Sequence, residues 1–309
     1  MAATATILEL LDSGDHVISM DDVYGGTYRL FENVRRRSAG IEFSFANLSD
    51  PDSLLANLKE NTKMIWVESP SNPLLKIVDL QKVSAFAKEH GLITVCDNTF
   101  CSPYIQKPLE LGFDLVVHSA TKYLNGHSDV VGGIAVCSDQ REDLAENLAF
   151  LANSIGSIMG PFDSFLVLRS LKTLQVRMQQ HCANAQQIAD FLQAHSGIDK
   201  VYYPGLPDHP NHAIAKSQMN GFGGMVTAVL KGGLSSATKF LERTELFTLA
   251  ESLGGVESLI EHPAIMTHAS IPPEIRQELG IEDGLVRLSV GIEAVDDLVR
   301  DLDNALLNL

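Results

Sequence analysis

Basic residues are scarce in this 309-residue chain: 23 Lys and Arg stand against 39 Asp and Glu, for a formal charge of −16. That balance offers no basic face to a phosphate backbone or an anionic bilayer, so nucleic acid and membrane are excluded as main partners. Cysteine is sparse too. Cys96, Cys101, Cys137 and Cys182 form no Cys-x-x-Cys pair and no zinc-like alternation with histidine, which indicates neither a disulfide framework nor a structural metal and points to a reducing compartment. No apolar run approaches the ~20 residues that span a bilayer, and the start MAATATILELLDSG lacks the charged head and cleavage pattern of a secretory signal. A cytoplasmic protein is expected.

Several familiar chemistries are missing as well. Gly132-Gly133 and the Gly-x-Gly-Gly at 221–224 have the spacing of neither a dinucleotide loop nor a P-loop, and no Gly-x-Ser-x-Gly elbow occurs. His118, His127, His262 and His268 show no metal-ligand spacing, so no metal is expected. There is no internal repeat and no low-complexity segment.

What is present suffices for a large core, with 45% hydrophobic residues. Residues 2–11 have helix-forming composition. Six β-rich runs follow: HVISM (16–20), IEFSF (41–45), MIWVE (64–68), LITVCD (92–97), DLVVHS (114–119) and GGIAVC (132–137). Between the third and fourth, DLQKVSAFAKEHG reads as a helix capped by Asp79 and stopped by Gly91. Continuous apolar strands alternating with helices predict an α/β fold with a mainly parallel sheet, in which ligands bind beyond the carboxyl ends of the strands. Three polar loops lie at such ends: Glu68 to Asn72, Asp97 with Asn98, and Ser119 to Lys122. Residues 160–197 read as one long helix, with Pro161 in its first turn. KVYYPG, GGMVTAVL, VRLSVG and a final helix over about 293–308 then make a smaller C-terminal α/β layer. The division expected is a large domain over 1–160 and the connecting helix plus smaller domain over 161–309.

The polar stretch SATKYLNGHSD concentrates the chemistry. Ser119 and Thr121 offer hydroxyls to a phosphate, and Lys122, desolvated beside that dianion, can form an imine with an aldehyde. Pyridoxal phosphate needs both. It also needs a carboxylate to keep its pyridine nitrogen protonated, and Asp97, ending a buried strand, is the candidate. Tyr24, in the glycine-flanked loop after the first β run, can stack on the ring. Arg287, in an apolar strand, suits the α-carboxylate of an amino acid through its planar fork.

These residues resemble a family. SATKYLNGHSDVVGG, VESPSNPLLKIVDL, AESLGGVESLIEHPAIMTHASIP and VRLSVGIE are similar to the pyridoxal-phosphate enzymes of trans-sulfuration, the cystathionine γ-lyase branch above all. The resemblance runs the length of the chain. It implies a fold-type I PLP-dependent transferase-like architecture, a homotetramer built of dimers, and γ-elimination from cystathionine to cysteine, 2-oxobutanoate and ammonia. It makes Lys122 the imine lysine, Asp97 the pyridinium partner, Tyr24 the stacking ring, and Ser119 and Thr121 phosphate ligands. It adds Asn72 near cofactor and substrate, Ser252 and Arg287 at the substrate carboxylate, and Glu251 at the distal amino group of cystathionine. Gly26 stands where methionine γ-lyases usually carry a cysteine. The resemblance also places Met1 at the phosphate-binding turn, so that an arm with a Tyr-x-Arg motif is expected to be lacking. The alternatives are cystathionine γ-synthase or a homoserine-ester sulfhydrylase, which add a thiol to the same intermediate, and a non-catalytic partner of longer subunits.

Overall fold

The six β-rich runs become β1 (His16–Met20), β2 (Glu42–Ala46), β3 (Thr62–Glu68), β4 (Ile93–Asp97), β5 (Leu115–Ser119) and β6 (Gly133–Cys137). The computed structural model describes residues 1–50, 52–267, 274, 276 and 279–307; His268 lies outside them. The strands form one sheet in the order β2-β1-β3-β4-β5-β6, parallel except for β6, which runs against β5. Every residue of β1 is buried, and so is β3 apart from Lys63, which is why both read as continuous apolar runs rather than alternating ones. Helices between the strands cover the sheet. In the helix Leu80–His90 the Asp79 carboxylate accepts from the Lys82 N–H (3.1 Å), and Gly91, at φ 65°, ends the helix in the left-handed conformation. Phe31 anchors one side of the core, stacked on Phe43 (centroids 4.7 Å apart) and edge-on to Trp66 (5.3 Å).

The single helix expected over 160–197 is in fact two, Pro161–Leu171 and Leu174–Ala194. Buried Arg177 accounts for the break. Its guanidinium donates to the Ser170 carbonyl (3.0 Å), to Thr173 Oγ1 (3.1 Å) and to the Tyr123 carbonyl (2.7 Å), so the helix end is satisfied from the side and fastened to the loop that carries Lys122.

Beyond it lies a second sheet of β7 (Ile198–Tyr202), β8 (Met225–Leu230), β9 (Thr248–Leu249), β10 (Leu259–Glu261) and β11 (Leu285–Ser289), ordered β7-β8-β11-β10-β9. All its pairs are antiparallel except β9 with β10. The helix Val295–Leu306 packs Leu298, Leu302 and Ala305 into a second core with Ile188, Leu192, Phe240 and Val286. Among the described residues no helix is long and apolar enough to cross a membrane. The two sheets and their helices make the fold-type I architecture.

Candidate active site

A cleft of about 420 Å³ opens beyond the carboxyl ends of β3, β4 and β5. Glu68, Asn72, Asp97, Ser119, Thr121 and Lys122 line it from the first sheet, Tyr24 and Met1 from neighbouring loops, and Glu251, Thr267 and Arg287 from the second sheet. Asn98 does not. Strand alternation turns it the other way, where its amide donates to the Ser102 and Gln106 carbonyls, so this member of the polar loops is scaffold.

Lys122 sits in the turn Ala120–Leu124 with a non-helical backbone (φ −91°, ψ −133°), and its Nζ donates to Ser252 Oγ (3.0 Å). Burial, helped by the charge of Arg287, lowers its amine to about 8. The AESLGG stretch packs directly behind it. A Cβ on Gly254, at φ +76°, would lie 2.8 Å from the Tyr123 nitrogen, so only glycine allows that approach.

Asp97 and Glu68 are register partners on adjacent strands. Asp97 Oδ1 accepts from the Thr99 hydroxyl (2.5 Å) and the Thr99 N–H (3.1 Å), and the same hydroxyl accepts from the Ser119 N–H (2.8 Å). Glu68 Oε2 accepts from the Tyr24 N–H (2.8 Å) and so fixes the loop that carries the tyrosine. Burial raises both carboxyls above their usual range, Glu68 well above because the Asp97 charge adds to it, whereas the bonds from Thr99 oppose the rise at Asp97. Of the pair, Asp97, with two bonds from Thr99 against the one that Glu68 takes from Tyr24, is held closer to the charged form. A third acid, Asp22, lies behind them, bonded to Ser71 Oγ (2.6 Å) and pushed by burial to about 7.

Arg287 is buried in β11. It pairs with Glu261 (2.7 Å), and Asn72 Oδ1 (2.9 Å) and the carbonyls of Glu251 (2.9 Å) and Ser252 (3.1 Å) accept its other terminal N–H groups. Burial raises the Glu261 carboxyl to about 7 despite that partner.

The residues present fit pyridoxal phosphate. A pyridinium N–H would supply the positive charge that the buried Asp97–Glu68 pair lacks, and a depressed amine stands in the same cleft. Met1 caps the helix Ala2–Leu8, and residues of its first turn line the same cleft as Ser119 and Thr121. The Thr121 hydroxyl already accepts from the Gly132 N–H (3.0 Å), which leaves it partly committed to the main chain. Tyr24 is 47% exposed at the mouth, and its ring lies where a Cβ on Gly26 would fall.

Four residues of this site had no role in the sequence reading. Glu68 opens one of the polar loops and Thr99 directly follows another, both without an assigned role. His118 faces the cleft from β5, and burial holds it neutral by lowering it to about 4. Glu261 was detectable only as a charge inside the apolar run SLIEHPA. Among the described residues no group of three or more His, Cys, Asp or Glu is placed to hold a metal ion.

Comparison with known proteins bears directly on this site. The family model for Cys/Met metabolism PLP-dependent enzymes matches residues 1–307. A cystathionine beta-lyase of Coxiella burnetii is 65% identical over 306 residues, 99% of this chain and 79% of that protein. A cystathionine gamma-lyase of Bacillus subtilis is 51% identical over 309 residues, 100% of this chain and 80% of that protein. The crystal structure of cystathionine gamma-lyase from Lactobacillus plantarum complexed with L-serine superposes with a TM-score of 0.95 at 48% identity, covering 98% of this chain and 79% of that one. The chain belongs to the Cys/Met metabolism family of enzymes that depend on pyridoxal phosphate.

Proposed function

We propose that the chain is a carbon–sulfur lyase that splits the Cγ–S bond of cystathionine into cysteine, 2-oxobutanoate and ammonia. The observation that carries the reading is the convergence in one cleft of an amine lowered to about 8, a carboxylate with only neutral donors, and a buried guanidinium fork. Arg287, with Asn72 and Ser252 beside it, takes the substrate α-carboxylate. Ser119, Thr121 and the turn at Met1 would take the cofactor phosphate, Asp97 would hold the pyridine N–H, and Tyr24 would flank the ring. Pyridoxal phosphate, bound there, would supply the electron-withdrawing ring that makes the proton on the amino carbon, and then one on the adjacent carbon, removable. Lys122 Nζ moves those protons at Cα and Cβ, a task suited to an amine that titrates near neutrality. Tyr24 gives a proton to the departing sulfur, and Glu251 partners the distal ammonium.

The proposal extends to organisation. The cofactor unit comprises residues 1–160, and the connecting helices with the smaller unit comprise 161–309. A homotetramer is supported by apolar side chains left in water along two consecutive helices and the loop between them, among them Phe150 (67% exposed), Ile158 (80%) and Phe162 (71%). A cytoplasmic location is supported by four cysteines that are all free.

The name of the Coxiella relative favours a second reading, cleavage at Cβ to homocysteine, pyruvate and ammonia. One experiment separates the readings: supply cystathionine to the cofactor-loaded protein and identify the oxo acid. 2-Oxobutanoate is expected, whereas pyruvate in excess would establish the β cut. Product formed only from an activated homoserine plus a thiol would establish γ-synthase or sulfhydrylase chemistry. No turnover, with association to longer subunits, would leave a partner chain.

A further inference from the structure

Arg287 is fully engaged before any substrate arrives. Nη1 donates to Asn72 Oδ1 and stands 2.7 Å from Glu261 Oε1 as an ion pair, and Nη2 donates to the carbonyls of Glu251 and Ser252. Three hydrogen bonds and the ion pair thus surround both terminal nitrogens, and Nε has no partner. A carboxylate that binds the fork through two bonds needs room at one terminal nitrogen or both, where protein acceptors already stand. Glu261 is the charged acceptor of the four. Its other oxygen, Oε2, is buried without a partner, and β10 and β11 hold Glu261 directly opposite Arg287 in register, so it cannot simply withdraw.

Docking therefore puts two carboxylates on one guanidinium where no water reaches: the side chains of Arg287 and Glu261 are 2% and 0% exposed. A buried negative charge in excess is costly unless something neutralises it. Among the described residues the charged groups facing Glu261 are Arg287 from β11, Lys122 from the turn after β5, and Glu251 from the loop before β10, the last of which adds to the excess. Thr267 donates its hydroxyl to Oε1 (3.3 Å). The neighbouring His262 ring pairs through Nε2 with the Asp283 carbonyl (2.8 Å), and burial lowers its proton affinity, so it brings no charge. β9 contributes Thr248 and Leu249, which do not titrate. Glu261 itself, already raised to about 7 in the free protein, is the group closest to accepting a proton.

We propose that Glu261 takes up a proton from solvent when a substrate carboxylate docks on Arg287, so that the guanidinium exchanges one anion for another and the charge of the site is unchanged. The proposal rests on Arg287 being the carboxylate receptor. Glu261 is then a positioning residue: ionised, it holds the fork in the empty site, and neutral, it yields the fork to substrate. Binding raises the Glu261 pKa further, so affinity for a carboxylate is constant below about pH 7, falls by up to tenfold per unit above it, and levels off beyond the bound-state value.

The test uses butanoate, a carboxylate with no amine to react with the cofactor, titrated calorimetrically into the cofactor-loaded enzyme. At about pH 7.5, runs in two buffers of different ionisation enthalpy report the protons taken up per ligand bound. The wild type is expected to take up roughly half a proton or more, and Glu261→Gln to lose most of that uptake and the pH dependence of affinity with it. Binding without proton uptake in the wild type, or equal uptake in Glu261→Gln, overturns the proposal while leaving Arg287 as receptor. If Glu261→Gln does not fold, Glu261→Asp decides. It should move the pH at which affinity begins to fall, and an unmoved break point overturns the proposal. Failure of butanoate to bind, or equal binding by Arg287→Lys, removes the receptor itself and the proposal with it.

Discussion

The two ends of the cleft are charged in opposite ways. At the end built from parallel strands, Asp22, Glu68 and Asp97 arrive from the carboxyl ends of β1, β3 and β4, and neutral groups make their hydrogen bonds: the Ser71 hydroxyl, the Tyr24 N–H and Thr99. At the other end, the antiparallel pair β10–β11 presents Arg287 already matched to Glu261, with Lys122 reaching across to Ser252. The first end holds buried carboxyls whose hydrogen-bond donors are all neutral. The second holds a cation that is provisionally neutralised. A cofactor with a protonated ring nitrogen suits the first, and a substrate that is itself a carboxylate suits the second, so one molecule bridging both ends completes two incomplete charge sets. The mutations below break that complementarity at different points.

The largest effect belongs to Lys122, which serves both ends. Lys122→Ala should lower turnover of cystathionine by roughly 10²–10⁴-fold, the range for loss of a positioned acid–base group. Borohydride reduction of the loaded wild type followed by peptide mapping should find the cofactor on Lys122, and a label on another lysine would remove it from the centre of the chemistry.

Within the acid end the two register partners should behave unequally. Asp97→Asn removes a charged acceptor facing the cofactor, a loss of about 1.5–3 kcal/mol that corresponds to roughly ten- to hundredfold in cofactor affinity. Glu68→Gln replaces the carboxyl that burial and the Asp97 charge push towards its neutral form and keeps an oxygen for the Tyr24 N–H, so its affinity should stay within a fewfold of wild type. Fluorescence titration of both variants checks this, and the opposite ranking would reverse the assignment of the proton between them.

Asp22 sharpens the same contrast through stability. Its carboxyl is raised from 3.8 to about 7 in the folded protein. The folded state thus binds the proton more tightly than the unfolded chain. That contribution is fully present below about pH 4, declines between about 4 and 7, and is gone above 7. Asp22→Asn has no such dependence, so its stability relative to wild type should climb across that window by on the order of 2–4 kcal/mol in the cofactor-free protein and stay flat above it. Urea melts of both proteins at about pH 5 and pH 8 measure the difference, and parallel curves would mean that Asp22 is ionised throughout.

How much of this was visible beforehand follows from the same two architectures. Buried parallel strands are uninterrupted apolar runs, so all six strands of the first sheet were placed within two residues of their observed bounds, and the loops at their ends brought Lys122, Asp97 and Asn72 forward. The antiparallel end was harder to read. β9 and β10, at two and three residues, are too short to show a pattern, so the pairing of Glu261 with Arg287 stayed hidden. The break at Lys172–Thr173 contains neither proline nor glycine and comes from a tertiary contact, the Arg177 clamp, which no local rule anticipates. Asn98 parts from its neighbour because adjacency in sequence says nothing about direction: Asp97 faces the cleft, while Asn98 turns to Gln106.

The smallest effect should come from the rim, where the two ends open to water. Glu251 is exposed and lends Arg287 only its backbone carbonyl (2.9 Å), so its carboxylate is free to meet the distal ammonium of cystathionine. An ion pair in that setting is screened, and its loss should cost less than about tenfold in kcat/KM. Methionine has no distal ammonium. Glu251→Ala should therefore lower kcat/KM for cystathionine while leaving that for methionine nearly unchanged, which narrows the preference between them, and added salt should narrow the same preference in the wild type but not in the variant. If both substrates fall together, the change has reached Arg287 through the backbone of residue 251 and the rim carboxylate has no part in selecting the substrate.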